Sequence, residues 1–415
     1  MKRHIQSLLS EKVLVLLDQA VFSGSSFVST LLLARVLSPT DFGIYASVLL
    51  YIYLTISVTN ALIIQPLQVS LAKIEIKEAD SYLSFVIYGQ GVLVLFIVGF
   101  TWGLMQFEIE FLQQLRHISF SIIFLLTGFL FHDFFRKVFL AKSEIRKALL
   151  IDSICCVLQI SFLTSVYFTL SSTLSSILLW IGGAYIPAVL LAIAFTKPSF
   201  YDFRKWKEYI RLHLRQGSWL LMTAVIQWWA NNLFVVASGL FLGVVALGAF
   251  RLVQSLFGVL NILLQTFENY ALPQAARLYQ SSSSASKQYL RSVSYKGAMI
   301  FGVILVVLFA FSESVIVLAG GAEYREFHFV VRGMTVLYFI IFIGYPVRMA
   351  IRMMLLNRSF FIGYILSFAL SLLSFNYLLE EWHLWGAISG LIANQLIMLF
   401  YWQYTLMKKE FILWR

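Results

Sequence analysis

The scarcity that says most about this sequence is that of charge. Only 12% of its 415 residues are Asp, Glu, Lys or Arg, while 60% are hydrophobic. Soluble domains carry about 25% charged residues, so this chain has about half the charge that a soluble surface needs. This excludes a soluble globular enzyme and a disordered chain. Cysteine is scarcer still, with Cys155 and Cys156 adjacent in an apolar run, which excludes a disulfide-rich secreted domain.

Signatures of cofactor and metal chemistry are also missing. The sequence contains no Gly-x-x-x-x-Gly-Lys-Ser/Thr motif, and we therefore expect no ATP hydrolysis through a P-loop. It contains no Cys/His cluster with metal-ligand spacing, and we expect neither a metal site nor a cofactor. The connections on the predicted outer side are short, whereas an enzyme at the membrane surface needs room for its catalytic groups. We predict that the protein is not an enzyme.

What the sequence has in abundance is long apolar runs. A helix that crosses a bilayer needs about 20 such residues. Runs of this length lie at 13–34, 44–66, 82–105, 118–140, 148–169, 174–196, 216–240, 246–272, 295–319, 330–353, 359–379 and 384–406. They predict an all-α polytopic membrane protein with about 12 transmembrane helices.

The basic residues predict the orientation of these helices. Of the 31 Lys and Arg residues, 26 fall in one set of alternating connections and 4 in the other. Cytoplasmic loops are enriched in Lys and Arg, so both termini are predicted to lie in the cytoplasm, in a cell (inner) membrane. The net charge of +11 is then explained by topology, and no nucleic-acid partner is needed.

The chain also shows a weak internal repeat. Gly43 and Gly248 follow equivalent short connections 205 residues apart, and Pro66 and Pro273, where we expect the following helices to end, are 207 residues apart. Parallel repeats with an even number of spans are typical of transporters with a site near the bilayer midplane. We predict two six-helix lobes, 1–197 and 216–415, joined by an interfacial cytoplasmic linker at 198–215. A solvated linker is the alternative for that segment.

Polar side chains in the eighth run recur every three or four residues, which places them on one helix face. They are Arg251, Gln254, Asn261, Gln265 and Glu268, with Gly258 at the position of the repeat between Gln254 and Asn261. Because intramembrane ionisable groups usually face a bundle interior or a wet cavity, the stripe favours a hydrophilic lumen. Polar packing between helices is the alternative interpretation.

Further polar groups lie in three other runs. The seventh has Gln227, Trp228 and Asn231, and the tenth has Tyr345, Arg348 and Arg352. Arg348 is either a lumen cation or an anchor that snorkels to the cytoplasmic edge. In the first run, Asp18 is either an intramembrane acid or solvated near the inner face.

A cluster of ionisable residues lies near the cytoplasmic end of the fourth run. His132, Asp133 and Arg136 occupy adjoining helical positions. Their spacing predicts a local Asp133–Arg136 pair.

Two segments of the first hairpin carry a resemblance to a known family. Residues 18–27 (DQAVFSGSSF) and 34–46 (ARVLSPTDFGIYA) resemble the opening of the polysaccharide transporter family, the Wzx-type (O-antigen) flippases within the MOP exporter superfamily. That superfamily also includes drug/cation antiporters and the lipid II flippase. The Ala-Arg-x-Leu-Ser-Pro-x-Asp-Phe-Gly-x-Tyr segment is the specific part, and the remainder matches in length, helix count and layout.

The resemblance implies that the protein moves undecaprenyl-pyrophosphate-linked oligosaccharide, an O-antigen or exopolysaccharide repeat unit, from the cytoplasmic to the periplasmic leaflet by alternating access. Under this hypothesis the lumen cations bind the pyrophosphate and are Arg251, Arg348 and Arg352. The predicted sugar ligands are Gln227, Trp228, Asn231, Gln254, Asn261, Gln265 and Tyr345. Asp18 or Glu268 is the expected site of ion coupling, because burial favours protonation of a carboxylate.

Three alternatives remain open at this point. A drug/cation antiporter of the same fold would use acidic groups, and buried arginines would repel its cargo. A polymerase or ligase of the same glycans would need a long outer loop. The third is a scaffold for glycan-assembly enzymes such as the polymerase, which are also expected partners of a flippase.

Overall fold

Helices make up nearly all of this protein. The computed structural model describes residues 2–71, 74–75, 78–169, 172–199 and 205–413. Within these ranges, ten helices are long and apolar enough to cross a membrane. The prediction of an all-α, multi-pass membrane protein is therefore confirmed.

Among the described residues, the first half of the chain contains nine α-helices and one π-helical segment between α2 and α3. They are α1 (Lys2–Val36), α2 (Pro39–Thr59), the π segment (Asn60–Ile64), α3 (Gln65–Leu71), α4 (Ala79–Leu104), α5 (Glu110–Arg116), α6 (Ser119–Ala141), α7 (Ile145–Thr169), α8 (Leu174–Gly183) and α9 (Tyr185–Thr196). The second half begins with the longer helices α10 (Trp206–Leu242), α11 (Val244–Ser281) and α12 (Ser283–Ala310). It continues with α13 (Ser312–Gly320), a 3-10 helix (Ala322–Phe327), α14 (His328–Met353) and α15 (Asn357–Lys408).

The number of membrane crossings depends on how two helices are counted. Helix α15 has 52 residues and contains the predicted spans 359–379 and 384–406. Its backbone leaves helical geometry at His383, with φ 49° and ψ −131°. Helix α6, which coincides with the predicted span 118–140, is not among the ten candidate spans. The count of 12 and the orientation of the termini therefore stay predictions.

The chain divides into two compact units. Unit 1 comprises Met1–Leu37 and Val48–Val225, and unit 2 comprises Ser38–Ser47 and Ile226–Arg415. Residues 200–204 of the predicted linker lie outside the described residues, and from Trp206 onward its residues form the start of α10. The lobe boundaries at 197 and 216 stay a prediction.

The first turns of α10 pack on α4 within unit 1. The ring centroids of Tyr82 and Tyr209 are 5.0 Å apart, and those of Phe85 and Trp206 are 5.6 Å apart. Tyr209 is buried. Trp206 and Tyr209, which lie in the segment predicted to be an interfacial linker, thus dock the start of a long helix on its neighbour.

The prediction that helices end near Pro66 and Pro273 is wrong, because both helical segments continue beyond the proline. Proline has no N–H for the carbonyl four residues earlier, and for Pro66 that carbonyl belongs to Leu62. The π segment lies at this point, and His213 Nδ1 is 3.1 Å from the Leu62 oxygen. A side chain from α10 thus reaches the carbonyl oxygen that Pro66 cannot serve.

The two glycines that define the repeat meet each other in unit 2. A Cβ atom at Gly248 would come within 2.9 Å of the Gly43 Cα atom, and one at Gly43 within 2.1 Å of the Val244 oxygen. The beginnings of α2 and α11 therefore pack backbone against backbone, which any larger side chain at these positions would prevent.

Candidate functional site

Unit 2 encloses a cavity of about 550 Å³ between helices α10, α11, α14 and α15. Its polar and aromatic lining is Gln227, Asn231, Asn232, Arg251, Gln254, Asn261, Gln265, Tyr338, Tyr345, Arg348, Tyr364, Asn394, Gln395 and Trp402. Eight of these side chains are carboxamides and two are guanidinium groups. Among the residues that the structure describes, no carboxylate lines the cavity.

Helix α11 provides one continuous wall. Its lining residues Arg251, Gln254, Asn261 and Gln265 belong to the polar stripe seen in the sequence. The Arg251 guanidinium donates a 2.8 Å hydrogen bond to Gln254 Oε1, and Asn261 Nδ2 donates one of 2.8 Å to the Tyr338 hydroxyl. Four members of the stripe thus face the same cavity, because their spacing follows the helical repeat.

Arg348 contributes the second guanidinium from α14. Its Nε atom is buried and has no hydrogen-bond partner within the described residues. The guanidinium carbon lies 5.6 Å from the Tyr345 ring centroid and 5.8 Å from that of Phe360. Aromatic faces attract a cation without consuming its N–H donors. The buried Nε–H can therefore still donate a hydrogen bond to an acceptor.

The third predicted cation, Arg352, does not line the cavity. It forms an ion pair with the buried carboxylate of Glu268, which also accepts a 2.8 Å hydrogen bond from the Tyr345 hydroxyl. The Arg352 side chain is 44% exposed and that of Glu268 is 6% exposed. Glu268, at the end of the α11 stripe, is thus neutralised outside the cavity instead of facing into it.

The predicted site residues of α10 likewise divide into two that line the cavity and one that does not. Gln227 and Asn231 line the cavity, whereas Trp228 is buried and does not line it. Trp228 packs edge to face on Trp229, with ring centroids 5.1 Å apart. Helix position alone would put Trp228 on the lining face, because Asn231 and Asn232 lie three and four residues further on; its absence from the lining is therefore not explained by the helical repeat.

The sequence reasoning missed the contribution of α15. Asn394 is buried and donates to the carbonyl oxygen of Ala230 at 3.1 Å and to the Ser371 hydroxyl at 2.7 Å. Trp402 stacks on Phe360 at 5.3 Å, with the two rings only 6° from parallel. Neighbouring Asn394 and Gln395 in an apolar run would have indicated a lumen face by the rule applied to α11.

A second group of buried charges lies in unit 1, near Asp18. Arg136 donates to Asp18 Oδ2 and to Asp152 Oδ2, both at 2.6 Å, and its guanidinium carbon lies 4.2 Å from the Phe22 ring centroid. The remaining Asp152 oxygen is 3.1 Å from His132 Nε2. We call Asp18, His132, Arg136 and Asp152 the α1–α6–α7 cluster, and all four are buried.

The predicted local pair of Asp133 with Arg136 is wrong. Asp133 pairs with Lys137 at 2.6 Å, one turn further along α6. Arg136 instead points to α1 and α7, where its Nη2 donates to Asp18 and its Nε donates to Asp152. Asp152 was missed, although an acid within the apolar run 148–169 is a signal of the same kind as Asp18.

Comparison with known proteins gives a clear result at the level of the fold. No protein-family model and no curated protein sequence matches the chain. The lipid II flippase MurJ, in an inward closed conformation, is 11% identical, with a TM-score of 0.72 over 97% of this chain and 89% of MurJ. An inward-facing multidrug resistance MATE family transporter of the MOP superfamily is 11% identical, with a TM-score of 0.65, covering 96% of this chain and 95% of its own.

A third similar structure is a MOP superfamily transporter from Pyrococcus furiosus, described as having a binding pocket of reverse polarity. It is 11% identical, with a TM-score of 0.60 over 96% of both chains. The chain therefore has the fold of the MOP superfamily transporters. The narrower resemblance to the Wzx-type family stays a prediction, since likeness at such low identity defines the fold alone.

Proposed function

We propose that this protein is a flippase that moves undecaprenyl-pyrophosphate-linked oligosaccharide from the cytoplasmic to the periplasmic leaflet by alternating access. The observation that carries the proposal is the lining of the unit 2 cavity, with eight carboxamides, two guanidinium groups and, in the part of the chain described, no carboxylate. Guanidinium groups match phosphate oxygens in geometry and charge. Carboxamides and aromatic faces suit the hydroxyl groups and rings of sugars.

The MATE-like alternative is an antiporter of cationic drugs. It has the same fold, and one of the similar structures is a multidrug resistance transporter. The charge of the cavity favours the flippase, because a fixed cation such as Arg348 repels a cationic cargo while it attracts a pyrophosphate. MurJ, which is a lipid II flippase, shows that the fold is compatible with a lipid-linked substrate.

The proposed flippase function also implies a membrane for the protein and a partner enzyme. The substrate and its carrier lipid place it in the inner membrane, where the exposed oligosaccharide is consumed by a glycan polymerase. We propose no catalytic residue and no cofactor, since translocation breaks no covalent bond.

The purified protein should expose lipid-linked oligosaccharide when it is reconstituted into liposomes. A lectin outside the vesicles reports the sugar headgroup as it reaches the outer leaflet, and protein-free vesicles supply the background. Efflux of a cationic dye is measured in parallel. Exposure of the sugar without dye transport supports the flippase, whereas dye transport without sugar exposure would replace it with the antiporter.

We further propose that a proton couples to transport through the α1–α6–α7 cluster. With a neutral imidazole, two carboxylates share a single guanidinium, so the buried cluster carries a net charge of −1. A buried net charge is costly, and binding one proton removes it. Glu268 is the weaker candidate, because Arg352 already neutralises it and Tyr345 holds it in place.

Asp18→Asn should abolish the stimulation of flipping by a proton gradient while the protein stays folded. The variant mimics the protonated cluster, with Arg136 and Asp152 left as a neutral pair. The ratio of initial rates with and without an imposed pH gradient should fall to about one. Glu268→Gln is the matched control and should keep the wild-type ratio, since the exposed Arg352 can be solvated. A wild-type ratio in both Asp18→Asn and Asp152→Asn would contradict the assignment.

A further inference from the structure

We infer that the unit 2 cavity contains two separate anion-binding subsites, one near the start of α11 and one near the end of α14. The α11 subsite consists of Arg251 with Gln254. The α14 subsite consists of Arg348 with Tyr345, and the ring of Phe360, which is not part of the cavity lining, lies near the guanidinium. The inference rests on the proposed function for its ligand, a phosphate or pyrophosphate group, and it goes further because it separates cations that would otherwise be assigned to a single site.

The register of α11 and α14 carries the inference. Asn261 bonds to Tyr338, and Glu268 accepts from Tyr345; the members of each pair are 77 positions apart in sequence. The difference in residue number between bonded partners is the same at two places that are two turns apart. The two helices therefore run parallel and side by side. Stacking agrees with this register, since the ring centroids of Phe257 and Tyr338 are 4.7 Å apart.

The same register separates the two cations. It places Arg348 level with Ala271, which is 20 positions beyond Arg251. At 1.5 Å per residue, the two Cα atoms are about 30 Å apart along the helices. Two fully extended arginine side chains together cover about half of that distance. A pyrophosphate, which is only two phosphate tetrahedra long, therefore cannot touch both guanidinium groups.

The surroundings of the two cations differ as well. Arg251 donates to the carboxamide of Gln254, so an anion there meets amide donors in addition to the charge. Arg348 lies against the rings of Tyr345 and Phe360, and its buried Nε has no partner in the described chain. The α14 subsite is thus an aromatic pocket with a single guanidinium. Arg352 is not a third ligand there, because it does not line the cavity and pairs with Glu268, whose carboxylate also accepts a hydrogen bond from Tyr345 of this subsite.

Site-resolved chemical protection tests whether the subsites are independent. Phenylglyoxal modifies accessible arginines, and peptide mass spectrometry reports the extent at Arg251 and Arg348 separately. Inorganic pyrophosphate is the probe, and its half-protecting concentration is measured for each arginine in the wild type, Arg251→Gln and Arg348→Gln. Arg358, which is exposed and outside the cavity lining, should be modified equally with and without the probe.

If the subsites are independent, replacing one arginine should change the half-protecting concentration of pyrophosphate at the other arginine by no more than about twofold, since distant sites do not couple. A shared site predicts a rise of about tenfold or more for both, from the loss of a charge-assisted contact, and this result would overturn the inference. Absence of protection at either arginine would overturn it too. The liposome assay distinguishes the two proposals: sugar exposure with shared protection leaves the flippase standing, and independent protection without exposure leaves the subsites standing.

Discussion

Replacing Arg136 with methionine is expected to destabilise unit 1 by several kilocalories per mole. The substitution leaves Asp18 and Asp152, both nearly inaccessible to solvent, without the guanidinium that each now contacts at 2.6 Å. Breaking a buried ion pair by removing one partner costs about 3–5 kcal/mol. For a unit of this size that corresponds to a drop of roughly 6–20 °C in melting temperature.

The measurement is thermal melting of the detergent-solubilised protein, followed by size-exclusion chromatography with fluorescence detection. Arg146→Met is the matched control, because Arg146 is an exposed cation in the same unit, and it should melt with the wild type. The triple variant Asp18→Asn, Arg136→Met, Asp152→Asn should recover most of the loss, since it removes all three charges together. A single variant that melts with the control would show that the cluster does not depend on its cation.

The sequence was most informative where the relevant residues lie on a single helix. Arg251, Gln254, Asn261 and Gln265 all line the cavity, because their spacing alone places them on one face of α11. The same pattern could not show where the lining stops. Glu268 continues the stripe, yet its carboxylate contacts Arg352 and Tyr345. Both of these partners lie on the neighbouring helix α14, so the spacing within α11 could not predict them.

Contacts between helices were the part that the sequence could not provide. Local spacing favoured Asp133 as the partner of Arg136, but its true partners lie 118 and 16 positions away. The register of α11 against α14 is of the same kind, because it follows from how side chains interlock and not from the pattern of either helix. Two of the α15 lining residues, Tyr364 and Trp402, were missed for a similar reason, because an aromatic residue in an apolar run gives no sign of a neighbouring cavity.

Replacing Arg348 with glutamine is expected to lower the initial rate of oligosaccharide flipping by at least about tenfold. Hydrogen bonds to charged groups contribute about 1.5–3 kcal/mol each, and a tenfold change in rate corresponds to about 1.4 kcal/mol. Arg348→Lys should recover only part of the rate, since an ammonium group keeps the charge but not the planar fork that matches phosphate. Arg358→Gln, a neighbouring exposed cation outside the lining, should keep the wild-type rate.

Stability separates a ligand-binding role of Arg348 from a structural one. Its Nε is buried without a hydrogen-bond partner in the described part of the chain, and a buried polar group without a protein partner does not add to stability. Arg348→Gln should therefore melt at or above the wild-type temperature while flipping fails, as is common where a functional site is built at the expense of stability. A variant that melts well below the wild type would mean that Arg348 holds unit 2 together. A variant that flips normally would mean that the substrate does not bind at this guanidinium.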